Sequence, residues 1–334
     1  IKIMTKLFKA AALYVAIFGT LSCNEIEQPQ VQENQPEKSN VTTRSSSQKT
    51  PKIAVYVETN DVNPLNAGDY TMSDGTAFVD IVELFASNIH KDGNGDPTLY
   101  LNDKLTNVLE NGGAATYVAP LQAKGIKVLL TVLGDWQGIG VANMTDAQST
   151  KFATILAYAV NKYGLDGIGF DDEYASYSGS LVSNSYAQII KKLHALMPSD
   201  KLITVFDWGN TDQIDAEASA CIDYAYHGYF GSYYTSSDIT GMTTDKWSPV
   251  SFNLGNYNST YDAQSYAEQA LENGYGAMMC FNLRTRSDND PLSLFQALSN
   301  GAYFEDVITC SNGNRARTAG SVSSGYTITY EMAQ

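Results

Sequence analysis

The chain has 334 residues, 43% of them hydrophobic and 17% charged, and a net charge of −15. Length alone suggests about two domains, with α/β barrels of roughly 250 residues as the single-domain exception. So acidic a chain repels phosphate backbones and anionic lipid, which argues against nucleic acid and a charge-held membrane as partners. Three His argue against a His-rich metal site, while 22 Tyr suit either a core or a surface that stacks on sugars.

Lys2, Lys6 and Lys9 precede an apolar run at 10–19, followed by Thr20, Leu21, Ser22 and Cys23. A basic stretch, a short apolar run and small residues form a secretory signal, and the run is too short to span a bilayer comfortably. The Cys just after it resembles a bacterial lipoprotein site, which implies cleavage before Cys23 and lipid attachment there. Ordinary signal cleavage nearby is the other reading. Residues 24–50 are rich in Gln, Glu, Asn, Ser and Pro; with almost no large apolar side chains they cannot offset their own ordering entropy. The expected organisation is a signal at 1–22, a disordered linker at 23–50, a barrel domain at 51–305 and a tail at 306–334 whose structure the sequence does not decide.

From residue 51 the texture changes. Apolar, β-prone runs lie at 53–57, 78–86, 126–133, 167–170, 202–206, 222–226, 250–254 and 276–281. They are near-continuous, as parallel strands covered on both faces are. Between them run amphipathic helices. Thr145 and Gln148 form a capping box ahead of Phe152, Ile155, Leu156, Ala159, Val160 and Tyr163 at helical spacing, and Gly164 closes that helix. A second carries Tyr186, Ile189, Ile190, Leu193 and Met197 before Pro198. Eight strands alternating with helices predict an α/β fold, a single (β/α)8 TIM barrel with some helices short or replaced by loops. No dinucleotide fingerprint, nucleophile elbow or phosphate loop is present. Cys23, Cys221, Cys280 and Cys310 form no CxxC pair; Cys221 and Cys280 read as buried thiols, and a disulfide at Cys310 stays open.

The fourth run ends Gly169, Phe170, Asp171, Asp172, Glu173, Tyr174. Strand alternation puts Asp171 and Glu173 on one face, toward the barrel mouth, and Asp172 on the other with Ile168 and Phe170. Side chains two apart on a strand lie about 6.5–7 Å apart. They are side by side rather than on opposite faces of a sugar ring. One can protonate a leaving oxygen; the other is poorly placed for backside attack. That suits glycoside hydrolysis assisted by the substrate's own acetamido group, a known departure from the two-carboxylate scheme. Glu173 would be the acid, its pKa raised by the Asp171 charge, and Asp171 would orient the acetamido group. The competing reading is an acidic loop start that binds a cation or caps the next helix.

These residues, with stretches 55–60, 127–138, 163–177 and 223–231 and the strand ending Phe281, Asn282 and Leu283, resemble glycoside hydrolase family 18. Over about 52–305 the chain is similar to the endo-β-N-acetylglucosaminidases of the endo H and endo F1 type more than to the chitinases. The resemblance implies cleavage of the β-1,4 bond in the chitobiose core of N-glycans, high-mannose or hybrid, by a retaining mechanism through an oxazolinium intermediate. It implies Glu173 as acid/base, Asp171 as the acetamido-orienting carboxylate and Tyr229 as the acetamido hydrogen-bonder. Gln137, His227 and Asn282, at strand ends, and Trp136, a stacking candidate with Trp208, are candidate sugar contacts, though a structural role fits each as well. The chain departs from the chitinase pattern at Gly169, where that pattern has a further Asp. No metal or cofactor is implied. The expected partner is the N-glycan of a glycoprotein, the enzyme a monomer, and its location the bacterial outer-membrane surface, tethered only by lipid, or else secreted or periplasmic. A family 18 chitinase and a non-catalytic glycan-binding barrel are the rival functions.

Overall fold

The computed structural model describes residues 49–177, 179–257, 259–304, 308–317 and 322–334. The signal, Cys23 and all but the end of the linker lie outside the described residues. In chain order the first elements are β1 (Lys52–Glu58), β2 (Tyr70–Thr71), β3 (Ile81–Lys91), β4 (Pro97–Leu101), α1 (Asp103–Leu109), α2 (Gly113–Tyr117), α3 (Ala119–Gln122) and β5 (Lys127–Gly134). Then come α4 (Asp146–Tyr163), β6 (Gly167–Phe170), α5 (Ser185–Leu196), β7 (Leu202–Asp207), α6 (Ala216–Ala220) and β8 (Tyr224–His227). The chain continues through β9 (Trp247–Ser248), β10 (Ser251–Asn253), α7 (Thr260–Glu272), β11 (Ala277–Phe281), α8 (Leu292–Tyr303), β12 (Thr309–Cys310) and β13 (Tyr326–Ile328).

The sheet runs β10-β11-β1-β3-β5-β6-β7-β8-β9, with parallel pairing throughout this path. Beyond β8, Phe230 bridges Ser251 in parallel, and the Ser251 hydroxyl donates to the His227 carbonyl at 2.6 Å. The circuit therefore closes, with the seventh strand split into β9 and β10, and the fold is the expected (β/α)8 barrel. The connections after β1 and β8 hold 3-10 turns in place of α-helices, Pro64–Asp69 leading into β2 and Thr244–Lys246 leading into β9. One strand departs from the sequence reading. The run ending at residue 86 continues as β3 to Lys91 and folds back antiparallel on β4, forming a hairpin. His90, polar and hard to read as strand, is held there by stacking on Tyr100 at 4.5 Å and by a 2.7 Å contact with Asp135.

Side-chain alternation builds two apolar layers. Val55, Val128, Leu130, Ile168 and Phe170 face outward against Phe152, Ile155 and Leu156 of α4 and Ile189, Ile190 and Leu193 of α5. Ala54, Tyr56, Leu129, Phe206, Tyr226 and Met279 fill the barrel interior. Each fully buried side chain of this size contributes about 1.5–3 kcal/mol. The caps match the sequence: Thr145 and Gln148 exchange both capping-box hydrogen bonds, and Gly164 ends α4 at φ 63°. The tail is structured where described. β12 pairs with β2 and β13 with β4, both antiparallel, and Asp69 accepts from the Gly313 N–H at 2.9 Å and pairs with Arg315. Lys49, just before β1, is buried against Asp80 at 2.7 Å. Cys280 is buried, Cys221 and Cys310 are half-buried, and all three are free thiols.

Candidate active site

β6 ends at the barrel mouth, and parity sorts its acids as expected. Asp172 points toward the covering helices. It accepts from the Asn210 backbone N–H at 2.9 Å, from the Asn210 side chain at 2.6 Å, and from the Tyr177 hydroxyl. Asp171 points into the barrel and is buried, and its Oδ1 has no hydrogen-bond partner among the described residues. Glu173 is half-buried one step further out.

The chain beyond β6 stays hydrogen-bonded to the chain beyond β5, two residues of the latter passing for each one of the former. The Gly134 N–H donates to the Glu173 carbonyl at 2.9 Å, Trp136 to Tyr174 at 2.6 Å and Gly138 to Ala175 at 2.9 Å. Gly134 has to be glycine for this approach, because a Cβ there would overlap the Ala175 backbone. This backbone clasp fixes the direction of Glu173.

Asp171 and Glu173 share a cleft of about 420 Å³ with Tyr229, Trp208, Tyr174 and a floor of Phe85, Phe206 and Phe281. Apolar walls with a few convergent polar groups are what a sugar-binding cleft requires. Burial drives the Asp171 carboxyl well above the ordinary carboxylate range, with the charges of Glu173 and then Asp172 adding to it. Glu173 is also raised, by burial first and the Asp172 charge second. The sequence reading credited that shift to Asp171; desolvation dominates instead, because the apolar floor removes water from the carboxyl.

The other candidates divide. Tyr229 lines the cleft, 56% exposed, with its ring edge-on to Trp208 at 5.2 Å. Trp136 is 66% exposed and tilted against Tyr174 at 5.4 Å, outside the cleft wall. Gln137 is exposed and also outside it. His227 is buried behind Tyr229, packed on Tyr234 at 4.0 Å and Trp247 at 5.8 Å, and burial lowers its pKa. Asn282 follows β11 at φ 64° with its buried Oδ1 unpartnered among the described residues. No group of three or more His, Cys, Asp or Glu poised for a metal occurs among the described residues.

Sequence reasoning passed over Glu58 and Glu83. Ala54, Tyr56 and Glu58 alternate inward along β1, and period-two reading of that run would have put Glu58 at the mouth. There Glu58 lines the cleft beside Arg284 at 3.9 Å. Glu83 lies wholly buried in the barrel, accepting from the Thr131 hydroxyl at 2.9 Å and the Thr204 hydroxyl at 2.6 Å. A Cβ at Gly169 would overlap its carboxylate. The space that Gly169 leaves open is thus taken by an acid from another strand.

No family model matches the chain. An endo-β-N-acetylglucosaminidase of Flavobacterium sp. is 37% identical over 242 residues, covering 70% of this chain and 75% of that protein. The chain belongs to the family 18 endo-β-N-acetylglucosaminidases. It is 33% identical over 280 residues to endo-β-N-acetylglucosaminidase F1 of Elizabethkingia meningoseptica, covering 77% of this chain and 79% of the other. Among solved structures, Bacteroides thetaiotaomicron EndoBT-3987 with a Man5GlcNAc product superposes with a TM-score of 0.68 at 28% identity, over 80% of this chain and 65% of that one. A Rhizomucor miehei chitinase, 15% identical with a TM-score of 0.55, shares the barrel. Membership in this family makes the protein a glycoside hydrolase, as the paired acids at the end of β6 suggested.

Proposed function

We propose that the chain hydrolyses the β-1,4 bond of the N,N′-diacetylchitobiose core of N-glycans, with high-mannose chains favoured. EndoBT-3987 has been solved with a Man9GlcNAc2Asn substrate at 27% identity to this chain, which supports that choice. The observation that carries the reading is a buried Asp171 with an unpartnered Oδ1 in one cleft with a half-buried Glu173. An acetamido N–H is the donor that oxygen lacks. Hydrogen bonding to the anion favours ionisation, so bound substrate draws Asp171 toward the charged form. Glu173, its pKa raised, gives its proton to the glycosidic oxygen as the acetamido oxygen attacks C1. The resulting oxazolinium cation is stabilised by the Asp171 anion, and the Tyr229 hydroxyl holds the acetamido oxygen in line for attack by a hydrogen bond, keeping its own proton. Glu173 then takes a proton from the incoming water, giving net retention.

Mass spectrometry of a high-mannose glycoprotein and of chitin oligomers tests this directly. Loss of all but one GlcNAc from the glycoprotein, with little turnover of chitin oligomers, is the expected result; an unchanged glycoprotein mass overturns the reading. Glu173→Gln should reduce release by about 10²–10⁴, the usual contribution of a general acid, while glycan binding persists. Since the acid works only when protonated, the rate should fall as pH rises through the raised Glu173 pKa. Lipid attachment at Cys23, outside the described residues, would tether the enzyme to the outer membrane. Labelled-lipid incorporation that disappears in Cys23→Ala supports that; incorporation that survives removes it.

A further inference from the structure

The mechanism just proposed needs one proton in a particular place. Asp171 has to be the anion and Glu173 the acid, yet burial presses Asp171 toward its neutral form. Glu83 is a further carboxyl inside the barrel, set against Gly169. It is fully buried, and its polar partners among the described residues are the Thr131 and Thr204 hydroxyls. Facing it are Tyr56 from β1 and Tyr226 from β8, and Gly169, whose side-chain space it fills, lies two residues before Asp171. Among the described residues no Lys, Arg or His charge acts on it. Tyr56 feels the charges of both Glu83 and Asp171, so its phenol links the two carboxyls inside the barrel. Because the Glu83 carboxylate fills the side-chain space of Gly169, it sits about one i to i+2 step from Asp171, roughly 7 Å.

We propose that Glu83 is a positioning residue acting through Asp171: its own protonation decides whether the proton of the hydrolytic site rests on Asp171 or on Glu173. With Glu83 neutral, the Asp171 carboxyl can lose its proton to the Glu173 carboxylate. One O–H bond breaks, one forms, and the anion and acid stand ready with no change in total charge. With Glu83 ionised, a second buried negative charge about 7 Å away favours keeping the proton on Asp171. Burial, partly offset by the two threonine hydrogen bonds, pushes Glu83 up to about 7, so the change falls within the working range of an extracellular enzyme. The inference rests on the proposed roles of Asp171 and Glu173.

The test is the pH profile of kcat/KM on a high-mannose glycopeptide. Glu83→Gln keeps the size and is permanently uncharged. It should hold activity near pH 6 within about threefold, leave KM unchanged, and move the alkaline limb upward by about one pH unit or more. A merely structural Glu83 would lower activity at every pH without moving the limb, and an unmoved limb overturns the proposal. Should Glu83→Gln fail to fold, the full-length chain labelled with carboxyl-13C glutamate decides. A glutamate titrating near 7, retained in Glu173→Gln and shifted downward in Asp171→Asn, is expected; its absence, or its indifference to Asp171→Asn, overturns the proposal. An active Glu173→Gln would defeat the underlying mechanism instead, so the two failures are distinguishable.

Discussion

At the scale of single residues, the same chemical group takes opposite tasks according to its surroundings. Asp172 has three donors and serves structure. Asp171, one residue earlier and on the other face, has an oxygen unpartnered among the described residues and is the anchor proposed for the acetamido group. Removing that anchor by Asp171→Asn should lower kcat by about 10²-fold or more, since one preorganised electrostatic contact to a developing charge is worth about that; single-turnover release of glycan measures it. Glu83 has a consequence for stability as well. Its folded pKa is raised from 4.5 to about 7, so between those values the folded chain holds a proton that the unfolded chain has lost. Its contribution is complete below about 4.5 and disappears as pH rises toward 7, a change of roughly 3 kcal/mol. Urea unfolding at pH 5 and pH 8 should show that loss in the wild type and a smaller one in Glu83→Gln.

At the scale of elements, the site is aimed by backbone rather than by side chains. The β5 and β6 extensions remain hydrogen-bonded past the barrel rim, and the Gly134–Glu173 bond is the step nearest the acid. Gly134→Val should displace Ala175 and turn Glu173, lowering kcat by about 10²-fold, the order expected of an ångström-scale misplacement, with a folded far-ultraviolet spectrum retained. The α4 cap is a contrasting case. Thr145→Ala removes the side-chain acceptor for the Gln148 N–H and should cost about 1 kcal/mol in a thermal melt while leaving kcat unchanged.

At the scale of the whole molecule, the barrel is closed by one short bridge and buttressed by its tail. β13 covers the outer edge of β4 and buries Ile328 fully. Ile328→Ala should therefore cost about 2–4 kcal/mol and lower the melting temperature visibly. An unchanged melt would make the β13 pairing dispensable. The eight barrel strands were legible because each is a buried apolar run, and α4 and α5 because their caps and periodicity agree. The β3–β4 hairpin was not, because His90 and Lys91 lack strand-like hydrophobicity and are held by Tyr100, Asp135 and cross-strand pairing that come from elsewhere in the chain.

The sequence by itself determined the barrel, the position of the paired acids at the end of the fourth run, and which two of the three acids face the barrel mouth. These follow from local rules: the period of a strand, a cap, a run of buried residues. Only the tertiary structure decided that desolvation more than the neighbouring charge raises Glu173, that His227 packs behind Tyr229 rather than into the cleft, and that Glu83 stands in the space left by Gly169. Each of these depends on atoms brought together from strands far apart in sequence, where burial and electrostatics are set by what the fold places next to what.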